Sequence, residues 1–224
     1  MRTNTYIQVA DDAYPSVASI VGEAVSQAKQ KTNGTEFEMA LYLHDWLLDQ
    51  LEYDNSLKWS SAESALTRGL GTCQAYESAY VKLLSAAGIE CAETRDTYDG
   101  HTWNAVKLDD EWYQVDCTWY DTSDNFYGDL DQRHLYCCLT DELMAIAHLG
   151  HENIYTADSY ATRSTSLKDN YFIRNGKADE WAAGMSNEFR NTLTFVMRAS
   201  LSMPTTSPSR PASAASRTAL SSAP

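Results

Sequence analysis

Between Gly71 and Tyr120 the chain lays down one helix and then a pair of strands, and that order limits the folds open to it. Cys73 opens the helix, Tyr76, Tyr80, Leu83, Leu84 and Ala87 form its apolar stripe, and Gly88 ends it. Ile89 to Thr94 reads as a short strand and Arg95 to Gly100 as a loop. His101 to Leu108 and Trp112 to Cys117 read as two strands turned at Asp109-Asp110, a β-hairpin. If those two residues are the turn, Leu108 pairs with Glu111 and Trp103 lies opposite Asp116. His101 is then the diagonal neighbour of Asp116 on one face. A slip of one residue sends the two to opposite faces. Asp-Asp is a weaker turn signal than Asn-Gly, so the register stays open at this level.

The segments around this unit complete an α+β pattern. Pro15 begins a first helix, roughly residues 15 to 32, with Val17, Ile20, Val21, Ala24 and Ala28 at helical spacing and Asn33-Gly34 as its stop. Thr35-Glu36-Phe37-Glu38 is a capping box with Glu38 reaching back to the N-cap, and Phe37, Leu41, His44, Leu48 and Leu51 share one face of the helix it starts. Ser60-Ser61-Ala62-Glu63 repeats the pattern for a short helix ending near Gly69. After the hairpin, Arg133 to Leu139 reads as a strand, Thr140 to His148 as a helix and Tyr171 to Arg174 as a last strand. Helices first and an antiparallel sheet afterwards predict N-terminal helices packed on that sheet.

Composition divides the chain into three parts. Residues 1–34 read as an extension with the first helix, residues 35–185 as the main domain, and residues 186–224 as a disordered tail. From Phe189 onward there is no Asp, Glu or Lys, against four Arg, and four of the five Pro stand there. Such a segment has little apolar surface to offset its ordering entropy. So abrupt a change fits either a genuine linker or out-of-frame translation.

The 224 residues carry a net charge of -14. That charge argues against nucleic acid and anionic membrane as partners, because phosphate binding needs clustered Lys and Arg. No apolar run reaches the length of a membrane span. No signal peptide is visible at Met1 to Asp12, which fits a cytosolic protein or a piece of a longer exported one. The five Cys have no C-x-x-C pair and no framework spacing. Adjacent Cys137 and Cys138 fall in the expected strand, where they should point to opposite faces as buried small hydrophobes.

Three short islands carry chemistry: Gly71-Thr72-Cys73-Gln74-Ala75-Tyr76, Gly100-His101-Thr102-Trp103-Asn104 and Val115-Asp116-Cys117-Thr118-Trp119. A helix N-terminus lowers a thiol pKa through its unpaired N–H groups and dipole. Position alone leaves Cys73 open between a nucleophile and an inert buried thiol, and His101 open between a base and a structural His. An Asp facing into an aromatic-rich strand pair calls for a partner.

Taken together the islands resemble the core of the transglutaminase-like superfamily. The resemblance rests on the G-x-C-x-x-[YFW] helix start at Cys73, the G-H-x-W-N strand at His101 and the W-Y-x-V-D-x-T-W strand at Asp116. It extends to Leu51-Glu52-Tyr53-Asp54, a common lead-in of bacterial members, to His134-Leu135-Tyr136 with the Thr140-Asp141-Glu142 helix start, and to Asp169-Asn170-Tyr171-Phe172. It covers about residues 35 to 178. The resemblance implies a papain-like α+β fold, a Cys73–His101–Asp116 triad and no metal or organic cofactor. Family members include cross-linkers, peptidases, deglycosylating amidases and inactive binding modules. Gln74 stands where animal cross-linking enzymes carry a bulky aromatic, which points away from that activity.

The expected chemistry is acyl transfer on a protein or peptide amide through a thioester on Cys73, resolved by water in a peptidase or by an amine in a cross-linker. The backbone N–H of Cys73, with Tyr53 and Gln74 as candidates, would meet the oxyanion. Trp103 and Trp119 are expected to pack the cleft walls rather than do chemistry. The Arg95–Gly100 and Thr118–Asp131 loops are candidates for specificity. His148 and His151 have the spacing of metal ligands but lack an identifiable third one. His44 reads as a core His. The Asp121, Asp124, Asp129, Asp131 run lacks the spacing of a calcium loop and reads as solvated.

Overall fold

The computed structural model describes residues 15–95, 100–119, 130–148 and 162–202, and the hairpin sets the architecture within them. Asp109 and Asp110 both take positive φ, 48° and 69°, the left-handed conformation of a two-residue turn whose twist matches its strands. Leu108 therefore faces Glu111, and the pairing of β4 (Thr102–Leu108) with β5 (Glu111–Val115) runs on to Asn104 opposite Val115. β3 (Cys91–Arg95) and β6 (Cys137–Leu139) flank them in a four-stranded antiparallel sheet of order β3-β4-β5-β6. A small parallel pair, β1 (Glu52–Tyr53) with β2 (Leu70–Gly71), stands apart from it.

Strand side chains alternate between faces, and the sheet separates two cores accordingly. Val106, Leu108, Tyr113 and Val115 join a core with helices α1 (Val17–Lys31), α2 (Glu36–Gln50), α3 (Ala62–Arg68) and α4 (Cys73–Ala87). The Tyr80 hydroxyl donates to the Ala40 carbonyl at 2.9 Å and ties α4 to α2. Trp103 points the other way, into a core with Leu139, Leu143, Met144 and Phe172. That core is closed by α5 (Asp141–Ala147), α6 (Tyr171–Arg174), α7 (Ala178–Gly184) and α8 (Asn187–Ser202). The fold is α+β, with the N-terminal helices on an antiparallel sheet.

Several local expectations need correction. Residues 17–31 are not an extension: Val21, Ala24, Val25 and Ala28 of α1 are buried in the first core. The tail is not disordered from residue 186. Phe189, Leu193 and Val196 recur at i, i+4 and i+7 and are buried against the second core, so the apolar periodicity of α8 outweighs its composition. Residues 203–224, like 1–14, lie outside the described residues. Tyr171–Arg174 is a helical turn because Asn170 caps it, its side chain accepting from the N–H groups of Phe172 and Ile173. Residues Leu130–His134 form a 3-10 turn, so the strand expected from Arg133 shrinks to Cys137–Leu139.

Two caps also shift. Thr35 does cap α2, accepting from the Glu38 N–H, but Glu38 reaches past the N-cap to the N–H and side chain of Asn33, at 2.9 and 2.7 Å. α3 is capped by Ser61 with Ser64 rather than by Ser60 with Glu63. Cys138 departs from strand geometry with φ 60°, at a register shift where Gln114 pairs with Leu139 and Val115 with Cys137. The bulge leaves the two sulfurs 3.9 Å apart and both thiols buried, not on opposite faces.

Candidate active site

The nucleophile candidate stands at a helix mouth that the preceding chain holds open. Thr72 is the N-cap of α4 but makes no side-chain cap. The N–H groups of Ala75 and Tyr76 bond the Thr72 carbonyl at 2.8 and 3.1 Å. Those of Cys73 and Gln74 have no acceptor among the described residues, which leaves two orphan donors in the first turn that Cys73 opens. Gly71 is required here because a Cβ would sit 2.5 Å from the Ala75 Cβ. The approach is fixed from behind by Asp54, whose carboxylate accepts from the N–H groups of Ser56, Lys58 and Trp59. The carbonyl of Trp59 then accepts the Thr72 N–H at 2.8 Å.

His101 precedes β4 and Asp116 follows β5. The two-residue turn brings them together: His101 Nε2 lies 2.6 Å from Asp116 Oδ2. Cys73 hydrogen-bonds the same imidazole, which leaves Nδ1 as the nitrogen toward the sulfur. Asp116 is buried, and its other oxygen accepts from the N–H groups of Thr118 and Trp119 at 2.7 and 3.3 Å. The structure thus brings Cys73, His101 and Asp116 into one chain of contacts.

Electrostatics follow from this geometry. Burial works against the Asp116 charge, but His101 and His148 outweigh it and hold the carboxyl well below the usual range. Burial also opposes a charge on His101. The neighbouring Asp116 carboxylate, and then Cys73, push its pKa up to about 10. Burial of Cys73 likewise opposes the thiolate, yet the His101 hydrogen bond and the Thr102 backbone N–H leave its pKa lowered. The combination favours a thiolate–imidazolium pair.

The other candidates fall in different places. The half-buried Tyr53 phenol has a raised pKa, first through burial and then through the charge of Cys73, which puts it within electrostatic reach of the sulfur. Gln74 is exposed on the first turn of α4, and its side chain makes no hydrogen bond among the described residues. Trp103 is 1% exposed and donates its indole N–H to Gln114 at 2.8 Å, so it is a core residue and not an exposed cleft wall. Trp119 is half-buried, 5.9 Å from His101 between ring centroids.

His148 is the site residue that sequence reasoning missed. It is fully buried at the C-cap of α5, and its Nε2 lies 2.7 Å from Asp116 Oδ2, the same oxygen that His101 contacts. Its ring stacks on Trp119 at 3.9 Å and on Trp103 at 4.9 Å. Gln114 steers α5 into place, its amide donating to Asp141 in the first turn at 3.1 Å. His151, residues 96–99 and 120–129, and hence Asp121, Asp124 and Asp129 and most of the two specificity loops, lie outside the described residues. So does the side chain of Asp131.

Two clusters among the described residues gather ligand-type atoms closely enough for a metal: His101 with Asp116 and His148, and His44 with Asp45 and His134. In both, the atoms already face one another at hydrogen-bond distance. In the second, Asp45 Oδ1 lies 3.0 Å from His44 Nδ1 and 2.8 Å from His134 Nε2. His44 is fully buried, as expected of a core residue.

Residues 23–117 match the transglutaminase-like superfamily. Kyphoscoliosis peptidase of Mus musculus is 25% identical over 124 residues, which are 46% of this chain and 19% of the relative. A solved structure described as a TGase superposes with a TM-score of 0.41 at 10% identity, over 55% of this chain and 38% of its own. The chain therefore spans about a fifth of the curated relative and under half of the solved one. The segment that carries Cys73, His101 and Asp116 is thus the part of the chain that is similar to the transglutaminase-like superfamily.

Proposed function

We propose that this chain is a cysteine-dependent amide hydrolase acting on protein or peptide substrates through a thioester on Cys73. The observation that carries the reading is the His101 ring, bonded to Asp116 on one side at 2.6 Å and to Cys73 on the other.

The residues divide the work. The Cys73 thiolate attacks the amide carbonyl carbon. The N–H groups of Cys73 and Gln74 in the first turn of α4 meet the developing oxyanion, with the Tyr53 hydroxyl as a further donor. His101 then gives its Nδ1 proton to the leaving nitrogen, the C–N bond breaks, and the acyl group stays on sulfur. Water enters, His101 takes its proton, and the thioester is hydrolysed. Asp116 keeps Nε2 of His101 protonated throughout, so Nδ1 is the nitrogen that exchanges the proton.

A peptide-library digest with the native chain and with Cys73→Ala tests the reading. Cleavage by the native chain alone supports it. A Gln-containing peptide offered with a primary amine separates the alternatives by product mass: amine incorporation in place of hydrolysis would make the chain a protein-glutamine acyltransferase. No turnover of either kind would leave a binding module that kept the fold.

A further inference from the structure

Asp116 serves two imidazoles, and the hydrogen-bond inventory of the second is unusual. His148 Nδ1 lies 3.0 Å from the Met144 carbonyl oxygen, and its Nε2 lies 2.7 Å from Asp116 Oδ2. A backbone carbonyl can only accept, and an ionised carboxylate can only accept. A neutral imidazole has one N–H, so one of these two contacts would set acceptor against acceptor. Both are made only if both ring nitrogens carry a proton. The groups around the ring suit that state: Asp116 at the end of β5, the faces of Trp103 and Trp119 at 4.9 and 3.9 Å, and the edge-on ring of Tyr136 at 5.7 Å. His101 lies alongside with ring centroids 5.5 Å apart, and Asp116 Oδ2 bridges the two.

We propose that His148 is a positioning residue of the site, an imidazolium that fixes Asp116 and shares its carboxylate with His101. The proposal rests on the Cys73–His101–Asp116 reading and extends it to a fourth member. Charges then alternate along the row: thiolate, imidazolium, carboxylate, imidazolium. With Oδ1 held by Thr118 and Trp119 and Oδ2 by His148, Asp116 cannot swing away when His101 gives up its proton to the leaving group. No proton passes to or from His148 in the cycle. Its work is geometric and electrostatic, and it also anchors the end of α5 against the hairpin.

The test uses the full chain and two readouts. With 15N-labelled histidine, the ring signals of His148, identified by their loss in His148→Gln, should show both nitrogens protonated at pH 7. One unprotonated nitrogen would overturn the proposal whatever the activity. Separately, Cys73 alkylation by iodoacetamide at pH 6 should slow about tenfold in His148→Phe, which keeps the stacking but cannot donate, the usual effect of losing a hydrogen bond to a charged group. His148→Gln, whose amide can still donate to Asp116, should recover most of that loss. A fast native reaction unchanged in His148→Phe overturns the proposal. A native reaction no faster than a free peptide thiol would instead sink the triad reading, and the ring signals would still decide the state of His148.

Discussion

Leu108 pairs with Glu111 across a turn of only two residues, and that pairing decides which groups meet at the far end of the hairpin. Counting back from it, His101 and Asp116 share a face, and the imidazole reaches the carboxylate at 2.6 Å. One residue more in the turn would turn Asp116 to the opposite face. The site is thus a consequence of a strand register, closed on its third side by the mouth of α4.

The first prediction concerns His101. Its pKa is held near 10 against burial by the charge and hydrogen bond of Asp116, and then by Cys73. Titration of its ring signals by NMR should show a midpoint far above the 6.5 of an ordinary His. Asp116→Asn should lower that midpoint more than Cys73→Ala does. A midpoint near 6.5 in the native chain would mean that the pair does not form in solution.

Glu77 lies one turn beyond Cys73 on α4 and is 7% exposed. Burial, followed by the charge of Glu93, pushes its carboxyl up to about 7, with Arg95 acting the other way. A raised folded-state pKa means stability that is present below the unfolded value of about 4.5 and lost as pH rises through about 7. Glu77→Gln should therefore unfold at higher denaturant than the native chain at pH 8, by about 2–3 kcal/mol, and show little difference at pH 4. Equal differences at the two pH values would contradict this.

What could be read from the sequence and what could not have physical causes. The helix starting at Cys73 was legible because Gly71, the apolar stripe and Gly88 all agree on it. The hairpin was legible but its register was not, since Asp109 and Asp110 adopt positive φ without the Asn-Gly signal that announces it. α8 was hidden by composition: Asn, Ser, Thr and Arg make up half of it, while Phe189, Leu193 and Val196 carry the period. His148 was out of reach because its partner lies 32 residues away and depends on how α5 crosses the sheet. The spacing of His148 and Met144 on α5 is visible in the chain, but nothing local says that the helix ends over Asp116.

Asp45 joins α2 to the 3-10 turn through His134, beside the Arg133–Asp49 pair at 2.5 Å. Burial opposes the Asp45 charge, but hydrogen bonds from His134 and His44 hold its carboxyl well below the ordinary range. A depressed folded-state pKa contributes stability above the unfolded value of about 3.8 that is lost as pH falls below it. Asp45→Asn should cost about 1–3 kcal/mol at pH 7, with the difference narrowing below pH 4. Urea unfolding across that range checks it, and a difference that stays constant would contradict the assignment.

Leu193 in α8 is 3% exposed, whereas Phe195 two residues on is 69% exposed. If α8 closes the second core, Leu193→Ala should cost roughly 2–5 kcal/mol. Phe195→Ala should stay within about 0.5 kcal/mol, as a surface change does. Denaturant midpoints compare the two. Equal, small effects would return residues 187–202 to a disordered tail.

The most direct test of the account is the pH dependence of iodoacetamide labelling at each Cys, mapped by mass spectrometry. Cys73 has a lowered pKa, while burial pushes the half-buried Cys91 up to about 12. The account predicts that Cys73 is labelled first and stays reactive well below pH 7, and that His101→Ala moves its reaction up to the pH range of a free thiol. Labelling of Cys73 no faster than a peptide thiol, or unchanged by His101→Ala, would contradict it.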